Sequence, residues 1–452
     1  MKNQFFQTDT IVALATSRGR GAISIVRVSG SDALAIASKL TKKSTFTPRH
    51  ATLSQLFDRN NEIIDEALVL YFNAPKSFTG EDIVEFQLHG GDAVAMVAID
   101  EILNLGARVA HPGEFTKRAF LNNKLDLTKA EAIAKLIDAK SKESAKLLAR
   151  QLKGELKKFV DAQRDELVRI LANSEVMIDY ADEDLPDELL KNLEDSLKKL
   201  SNELLKTKQL SENRDGFFSG YKVAIVGKPN VGKSSLLNSL LAYERAIVSE
   251  IEGTTRDTIE EYIVLGEHTI KIVDTAGIRE SEDRIEKIGI EYSKRMIEDS
   301  DIIIALFDNS REFDKNDEEI LSIIKKEKSQ KPLIVVMNKT DLENRFNEAL
   351  LEEEVVKISC KESVLALKNA LLKILDKMHE GSEQILISKR QIDIVSRTIE
   401  SINNSFAPLR RGELEIFSFY INEAIGNISS ISRPYEHSQM LDEMFSNFCL
   451  GK

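Results

Sequence analysis

Gly227-Lys228-Pro229-Asn230-Val231-Gly232-Lys233-Ser234 is the stretch on which the reading of this chain turns. It follows a short apolar run at 222–226, suited to a buried strand, and precedes 235–241, whose leucines are spaced for a helix. A glycine-rich turn between strand and helix lets successive backbone N–H groups face phosphate oxygens, and the helix N-terminus adds its positive end. Asn230, Val231, Gly232, Lys233, Ser234 and Ser235 are the phosphate-side candidates. Lys233 has the reach for β- and γ-phosphates, and the Ser234 hydroxyl suits Mg²⁺.

Three further pieces follow in order. Asp274-Thr275-Ala276-Gly277 comes after the apolar run 268–273 and fits a second phosphate element. Its aspartate reaches Mg²⁺ through water, and the Gly277 amide faces the γ-phosphate. Asn338-Lys339-Thr340-Asp341 ends another buried-strand run at 332–337. Asp341 can accept from both N1–H and the N2 amine of guanine, a donor pair that adenine lacks. Ser359-Cys360-Lys361, after 355–358, completes a base-side loop. Four motifs along alternating strand and helix patterns define an α/β P-loop domain for GTP and Mg²⁺, at 217–380. Ras-like proteins place a water-orienting glutamine directly after the second element; here Ile278 stands there. Asn230, inside the loop, offers a side-chain carbonyl to a monovalent cation.

The chain has 452 residues, 30% of them charged, with 21 glycines, 8 prolines and no tryptophan, which suits a helix-rich multidomain protein. No apolar run is long enough to span a bilayer, and residues 1–9 lack a signal-peptide core, so a cytoplasmic protein with no membrane contact is expected. Two cysteines, Cys360 and Cys449, build no disulfide framework. A net charge of −12 argues against a generally nucleic-acid-coating surface but leaves room for a local basic face.

Residues 1–121 read as a mixed α+β domain: strands near 11–16, 22–28, 67–72 and 82–88, and a helix over 31–40. Arg18 and Arg20, between the first two strands, are either a solvated loop or a functional one. From 122 to 216 the pattern is helical. Leu148, Leu152, Leu156, Val160, Leu167 and Leu171 predict one apolar stripe along a single long helix. Its other face carries Lys146, Arg150, Lys153, Lys157, Lys158 and Arg164, a solvated surface or an RNA-facing one. A second helix follows at 189–211, and helical periodicity returns over 385–428, within a second helical half at 381–452, with Ile394, Ile402, Phe417 and Ile421 among its apolar positions. These helices need partners for their apolar faces. The expected architecture is therefore a P-loop domain inserted into a helical bundle domain, behind an α+β N-terminal domain.

That architecture, with Phe448-Cys449-Leu450-Gly451-Lys452 at the end, resembles the MnmE/TrmE family of tRNA-modifying GTPases. The resemblance runs the full length. It is carried by 19–21 with 25–30, by Phe78-Thr79-Gly80-Glu81-Asp82, by His89-Gly90-Gly91 and by 112–122. It implies a protein that acts with an FAD-dependent MnmG/GidA-type partner, in a heterotetramer or larger complex. Together they install an aminomethyl or carboxymethylaminomethyl group at C5 of the wobble uridine of certain tRNAs. It also implies a homodimer whose N-terminal, folate-binding-like domain takes 5-formyltetrahydrofolate or another tetrahydrofolate derivative. By motif position the folate contacts are Arg27, Glu85, Lys124 and Lys452. Folate-tail carboxylates suit Arg and Lys, and Glu85 can accept from a pterin. The family's cysteine falls on Cys449, a nucleophile or a plain buried thiol.

For hydrolysis, the resemblance makes the cation K⁺, held by Asn230 with Ser249, Ile251 and Thr254. These three lie within the loop Ser249-Glu250-Ile251-Glu252-Gly253-Thr254 over the nucleotide. Thr255 matches a Mg²⁺-ligating switch threonine, and Arg256 a loop residue needed for turnover. Glu286 matches the glutamate that orients the attacking water, or is a helix-surface acid; pairing of two GTPase domains orders these loops. The competing class is a GTP-gated ribosome-assembly or RNA-binding factor without modification chemistry. Such factors usually carry an RNA-binding domain after the GTPase, whereas this tail is helical.

Overall fold

Val26 and Val28 in strand β2 (Ile23–Ser29), and Val84, Phe86 and Leu88 in β5 (Ile83–His89), alternate with the half-buried Ile25, Arg27, Glu85 and Gln87. That period of two puts one face of a sheet on a core. The computed structural model describes residues 9–179, 187–212, 215–243, 261–272, 294–327, 331–379, 386–433, 441, 444–446, 448 and 451. The chain divides into two compact units.

The first unit takes Met1–Ala134, Lys157–Asp184 and Arg411–Lys452. With β1 (Ile11–Leu14), β3 (Thr52–Phe57), β4 (Ile63–Phe72) and β6 (Arg108–Val109), its sheet runs β3-β4-β5-β2-β1-β6. It is antiparallel except where β6 joins β1. Helices Ala33–Thr41 and Asp92–Asn104 bury Ile36, Leu40, Ala98 and Ile102 against Val26, Val69 and Phe86. Arg27 and Glu85 face each other in the β2–β5 register, at positions out of phase with that core. Among the helices assigned to this unit, Glu155–Asp179 meets Leu414–Ser429 where the Ser174 and Ser418 hydroxyls lie 3.1 Å apart.

The second unit takes Lys135–Leu156 and Leu185–Arg410. Its strands are β7 (Tyr221–Val226), β8 (Glu261–Leu265), β9 (His268–Ile272), β10 (Ile302–Asp308), β11 (Leu333–Asn338) and β12 (Val355–Lys357). They lie in the order β12-β11-β10-β7-β9-β8, parallel except for the β8–β9 pair. Every residue of β10 is buried, as expected of a parallel strand covered on both faces. Parallel pairing brings the carboxyl ends of β7, β10, β11 and β12 to one edge, where such sheets bind ligands. Asp187–Glu212 and Lys389–Arg411, from either side of this sheet in sequence, meet through Arg410 Nη2 donating to Glu194 Oε1 at 2.6 Å. The fold is the expected one: an α/β P-loop sheet set between helical segments, behind an α+β region.

One expectation is corrected. The leucine stripe does not lie on one helix; it is divided between Lys142–Leu152 and Glu155–Asp179. Gly154 adopts φ +88°, a left-handed conformation that ends the first helix and that glycine takes without a Cβ clash. Leu148, Leu156, Val160 and Leu167 are buried, while Leu152 and Leu171 are only half-buried. Of the basic face, Lys146 pairs with Glu267 at 3.0 Å and Arg164 with Asp165 at 3.3 Å, and both remain exposed.

Parallel pairing of β1 and β6 also builds a charge network that the sequence does not announce. Arg108 bonds Asp9 and Glu114 at 2.5 Å, and Arg118 bonds Asp9 at 2.8 Å, Glu114 at 3.0 Å and Glu81 at 3.2 Å. Burial alone would raise the Glu114 carboxyl, but Arg108, the His111 amide and Arg118 hold it down at about 2, against an ordinary 4.5. Its contribution to stability is complete above the ordinary value and is lost as pH falls toward about 2. At most this is about 3 kcal/mol. A Glu114→Gln variant should therefore show a shallower fall of thermal midpoint on acidification below pH ~4.5 than the wild type. Parallel acid profiles in circular-dichroism melts would contradict the assignment.

Candidate functional site

The end of β7 leads into 227–232, where Asn230 has φ +64° and Gly232 φ +106°. Lys233 opens the helix Lys233–Tyr243, and its Nζ donates to the carbonyls of Gly227 at 2.8 Å and Lys228 at 3.0 Å. Burial pushes its pKa down. Ser234 and Ser235 are exposed at the start of that helix. A Cβ on Gly227 would come within 2.5 Å of the Leu306 carbonyl, and one on Gly232 within 2.3 Å of Asn338 Nδ2. The loop is thus a cradle closed on its inner side by β10 and β11, and side chains there would fill it. That shape fits a phosphate chain wrapped by backbone.

Asn338, at the end of β11 and 2% exposed, joins the two halves of the site. Its Nδ2 donates to the Val231 carbonyl at 2.8 Å, and its Oδ1 accepts from the Cys360 amide at 3.2 Å. Lys339 spans from the Asn230 carbonyl at 2.9 Å to Asp308 Oδ2 at 2.6 Å. Burial works to raise the Asp308 pKa, but Lys339 and Ser310 hold it below the usual carboxylate range. On the base side, Thr340 donates through both N and Oγ1 to the Ile358 carbonyl, and Ser359 Oγ donates to Asp341 Oδ1 at 2.8 Å. Asp341 itself is exposed and able to accept further bonds. Ser239 Oγ donates to the Cys360 carbonyl at 2.9 Å, tying the loop helix to the base-side loop. Burial pushes the Cys360 thiol up to about 11, which favours its neutral form at neutral pH. Lys361 follows in the same turn.

In the first unit, Arg27 Nε donates to Glu85 Oε1 at 2.8 Å and Nη1 to the Gly451 carbonyl at 3.3 Å, with the guanidinium 5.8 Å from the Phe115 ring centroid. Two of the four expected folate residues are therefore each other's partners, and the chain's penultimate residue lies against them. Lys124 is exposed, and its Cε lies 2.9 Å from where a Gly80 Cβ would be, above the 78–82 turn. The Arg27–Glu85 pair puts a cationic donor beside a carboxylate acceptor, groups of the kind that a carboxylate tail and a pterin call for.

Of the other expected site residues, Ser249, Glu250, Ile251, Glu252, Gly253, Thr254, Thr255, Arg256, Asp274, Thr275, Ala276, Gly277, Glu286, Cys449 and Lys452 lie outside the described residues. Sequence reasoning missed the Asn338 brace, the Asp308–Lys339 pair and the acids that hold Lys228. Only the last left a trace, in the Asp314-x-x-Asp317 spacing of a helix start.

A strand–loop–helix phosphate cradle joined to a base-side loop at the carboxyl edge of a mostly parallel sheet defines a P-loop nucleotide-binding protein. The family described as "GTP-binding protein TrmE N-terminus" matches residues 10–124, and the one described as "MnmE helical domain" matches residues 127–449. A protein named tRNA modification GTPase MnmE from Aliarcobacter butzleri (strain RM4018) is 56% identical, over 99% of this chain and 100% of its own length. The protein of that name from Sulfurimonas denitrificans is also 56% identical, over 98% of this chain and 99% of its own. That from Wolinella succinogenes is 49% identical, over 98% of both. The chain belongs to the MnmE/TrmE family. Among solved structures, Era in complex with MgGDPNP and 16S ribosomal RNA nucleotides aligns over 40% of this chain and 66% of its own at 28% identity, with a TM-score of 0.27.

Proposed function

We propose that this chain binds and hydrolyses GTP as one component of a tRNA-modifying enzyme acting at C5 of the wobble uridine. What carries the nucleotide half of the reading is Asn338, which ties the phosphate loop to the base-side loop through Val231 and Cys360. A site so braced presents its phosphate and base contacts together. The tRNA half rests on membership of a family whose relatives are named tRNA modification GTPases.

In this reading Lys233 moves from the Gly227 and Lys228 carbonyls onto the β- and γ-phosphates. Asp341 selects guanine, while Ser234 with Thr255 holds Mg²⁺ and Asn230 with Ser249, Ile251 and Thr254 holds K⁺. Bound there, the cations would neutralise charge building on the phosphates in the transition state. Arg256 supports turnover and Glu286 orients the attacking water, where Ile278 has no group to do so. Arg27, Glu85, Lys124 and Lys452 form the place for a tetrahydrofolate derivative, Arg27 and Lys124 facing its carboxylates and Glu85 its pterin. We assign residues 1–121 to this folate-binding and dimerising part, 122–216 and 381–452 to the helical part, and 217–380 to the GTPase. The protein acts as a homodimer in the cytoplasm with an FAD-dependent MnmG-type partner and tRNA, and Cys449 is the candidate nucleophile for the one-carbon chemistry.

The experiment is a nucleoside digest of total tRNA from cells with and without the gene, read by mass spectrometry. A C5-aminomethyl-type uridine should vanish, return with the wild type, and fail to return with Glu286→Ala, which should bind GTP but lose most turnover. An unchanged nucleoside profile with accumulated ribosomal precursors would move the protein to the assembly-factor class.

A further inference from the structure

Lys228 belongs to the phosphate loop, yet its side chain is only 4% exposed. Its Nζ donates to Asp317 Oδ2 at 2.6 Å and to Asp314 Oδ2 at 2.8 Å. The two acids form the start of the helix Lys315–Glu327. Asp314 Oδ1 accepts from the amides of Asn316 at 3.0 Å and Asp317 at 3.2 Å, and the Asp314 amide donates to Asp317 Oδ2 at 3.2 Å. This reciprocal cap would hold the helix end without any lysine. Asp317 is nevertheless fully buried, and its Oδ1 has no hydrogen-bond partner among the described residues. A buried carboxylate and ammonium cost several kcal/mol each in desolvation, which an ion pair offsets only with good geometry. Stability alone is a weak reason for such a pair.

The backbone of the same residue supplies the better reason. The carbonyls of Gly227 and Lys228 are the two acceptors of Lys233 Nζ. Behind Gly227, the Leu306 carbonyl of β10 leaves no space for the turn to shift inward. The first turn of the loop is thus fixed by β10 on one side and by the two acids, through the Lys228 side chain, on the other. We propose that Lys228 is a positioning residue, whose contact with Asp314 and Asp317 sets the Gly227 and Lys228 carbonyls and through them the site of the Lys233 ammonium. The inference rests on the GTP-binding reading and deepens it.

Its test separates positioning from plain stability. Affinities for fluorescent GDP and GTP analogues and the thermal midpoint of the nucleotide-free protein are measured for the wild-type full chain, Lys228→Met, Lys228→Arg and the double variant Lys228→Met/Asp317→Asn, whose amide oxygen can still accept from the Asp314 amide. Lys228→Met should lose about tenfold in affinity for GDP and GTP alike, since both present the phosphates that the loop cradles. Lys228→Arg, able to reach both acids, should lose less than about threefold. The double variant removes both buried charges, so its midpoint should return toward wild type while its affinity stays about tenfold down. Recovery of affinity together with the midpoint would overturn the proposal, as would wild-type affinity in Lys228→Met. Lys233→Ala is the separate control: if it and the wild type bind guanine nucleotides equally, the GTP-site reading itself fails, whatever the Lys228 variants do.

Discussion

An Asp341→Asn variant should exchange its base: affinity for GDP falls by a hundredfold or more, on the order of 3 kcal/mol, and xanthosine diphosphate becomes the better ligand. The carboxylate enters this site with one oxygen already held, since Ser359 Oγ donates to Asp341 Oδ1 at 2.8 Å. Ser359 is buried, and the turn beneath it is fixed by two bonds from Thr340 to the Ile358 carbonyl, at 3.2 Å from N and 3.0 Å from Oγ1. Guanine offers two donors, N1–H and the N2 amine, to the remaining acceptor capacity. Asparagine replaces one acceptor with an NH₂ group, which then faces an amine and leaves two donors in opposition. Xanthine carries a carbonyl at C2, which accepts from that NH₂ while its N1–H still donates to the amide oxygen. The Ser359 hydroxyl can rotate to suit either side chain, so the loop need not move. Titrations with the two diphosphates decide the point. A variant that binds GDP within threefold of wild type would remove Asp341 from base recognition.

What could be read from the chain and what could not differ by a physical rule. The phosphate loop is legible because its function needs particular residue types at consecutive positions: glycines where backbone must approach, then a lysine at the helix start. The same holds for Asp341, since its chemistry is that of its own side chain. Asn338 was placed among the site residues, but its bracing role was not legible. Its partners are the backbone of Val231, 107 residues away, and of Cys360, 22 residues away, and backbone atoms carry no sequence signature. Arg27 and Glu85 came from resemblance as two ligand contacts; that they pair with each other depends on a β2–β5 register spanning 58 residues. Buried charges are hardest of all. Arg118 and Glu114 are 6% exposed, yet in a chain with 30% charged residues each looks like surface. The helix break at Gly154 escaped for the opposite reason, because the apolar spacing continues across it and periodicity does not register a change of axis.

The brace and the loop meet at Gly232, and there the second large effect is expected: Gly232→Val should lose GDP binding by about a hundredfold to a thousandfold. Two costs act at this position. At φ +106° an L-residue sits in a conformation that disfavours any Cβ, at about 1–2 kcal/mol. A Cβ would also lie 2.3 Å from Asn338 Nδ2, a contact no side chain tolerates, so Asn338 or the loop must move. Because the Asn338 amide is buried and bonded at both ends, moving it strands the Val231 carbonyl and the Cys360 amide, at about 1–3 kcal/mol for each group left unpaired. Without nucleotide the loop can relax and shed part of this strain, so the cost falls mainly on binding, which requires the cradle. An Asn338→Ala background separates the two terms. With the Asn338 amide gone, Gly232→Ala should cost little beyond its backbone strain, so the two changes together lose less than the sum of their separate losses. Calorimetric titration of GDP into Gly232→Ala, Asn338→Ala, their double variant and wild type gives the coupling directly, and the same titration of Gly232→Val gives the size of the loss. Strict additivity would mean that Gly232 and Asn338 do not act through each other, and near-wild-type affinity in Gly232→Val would mean that the loop does not cradle the diphosphate.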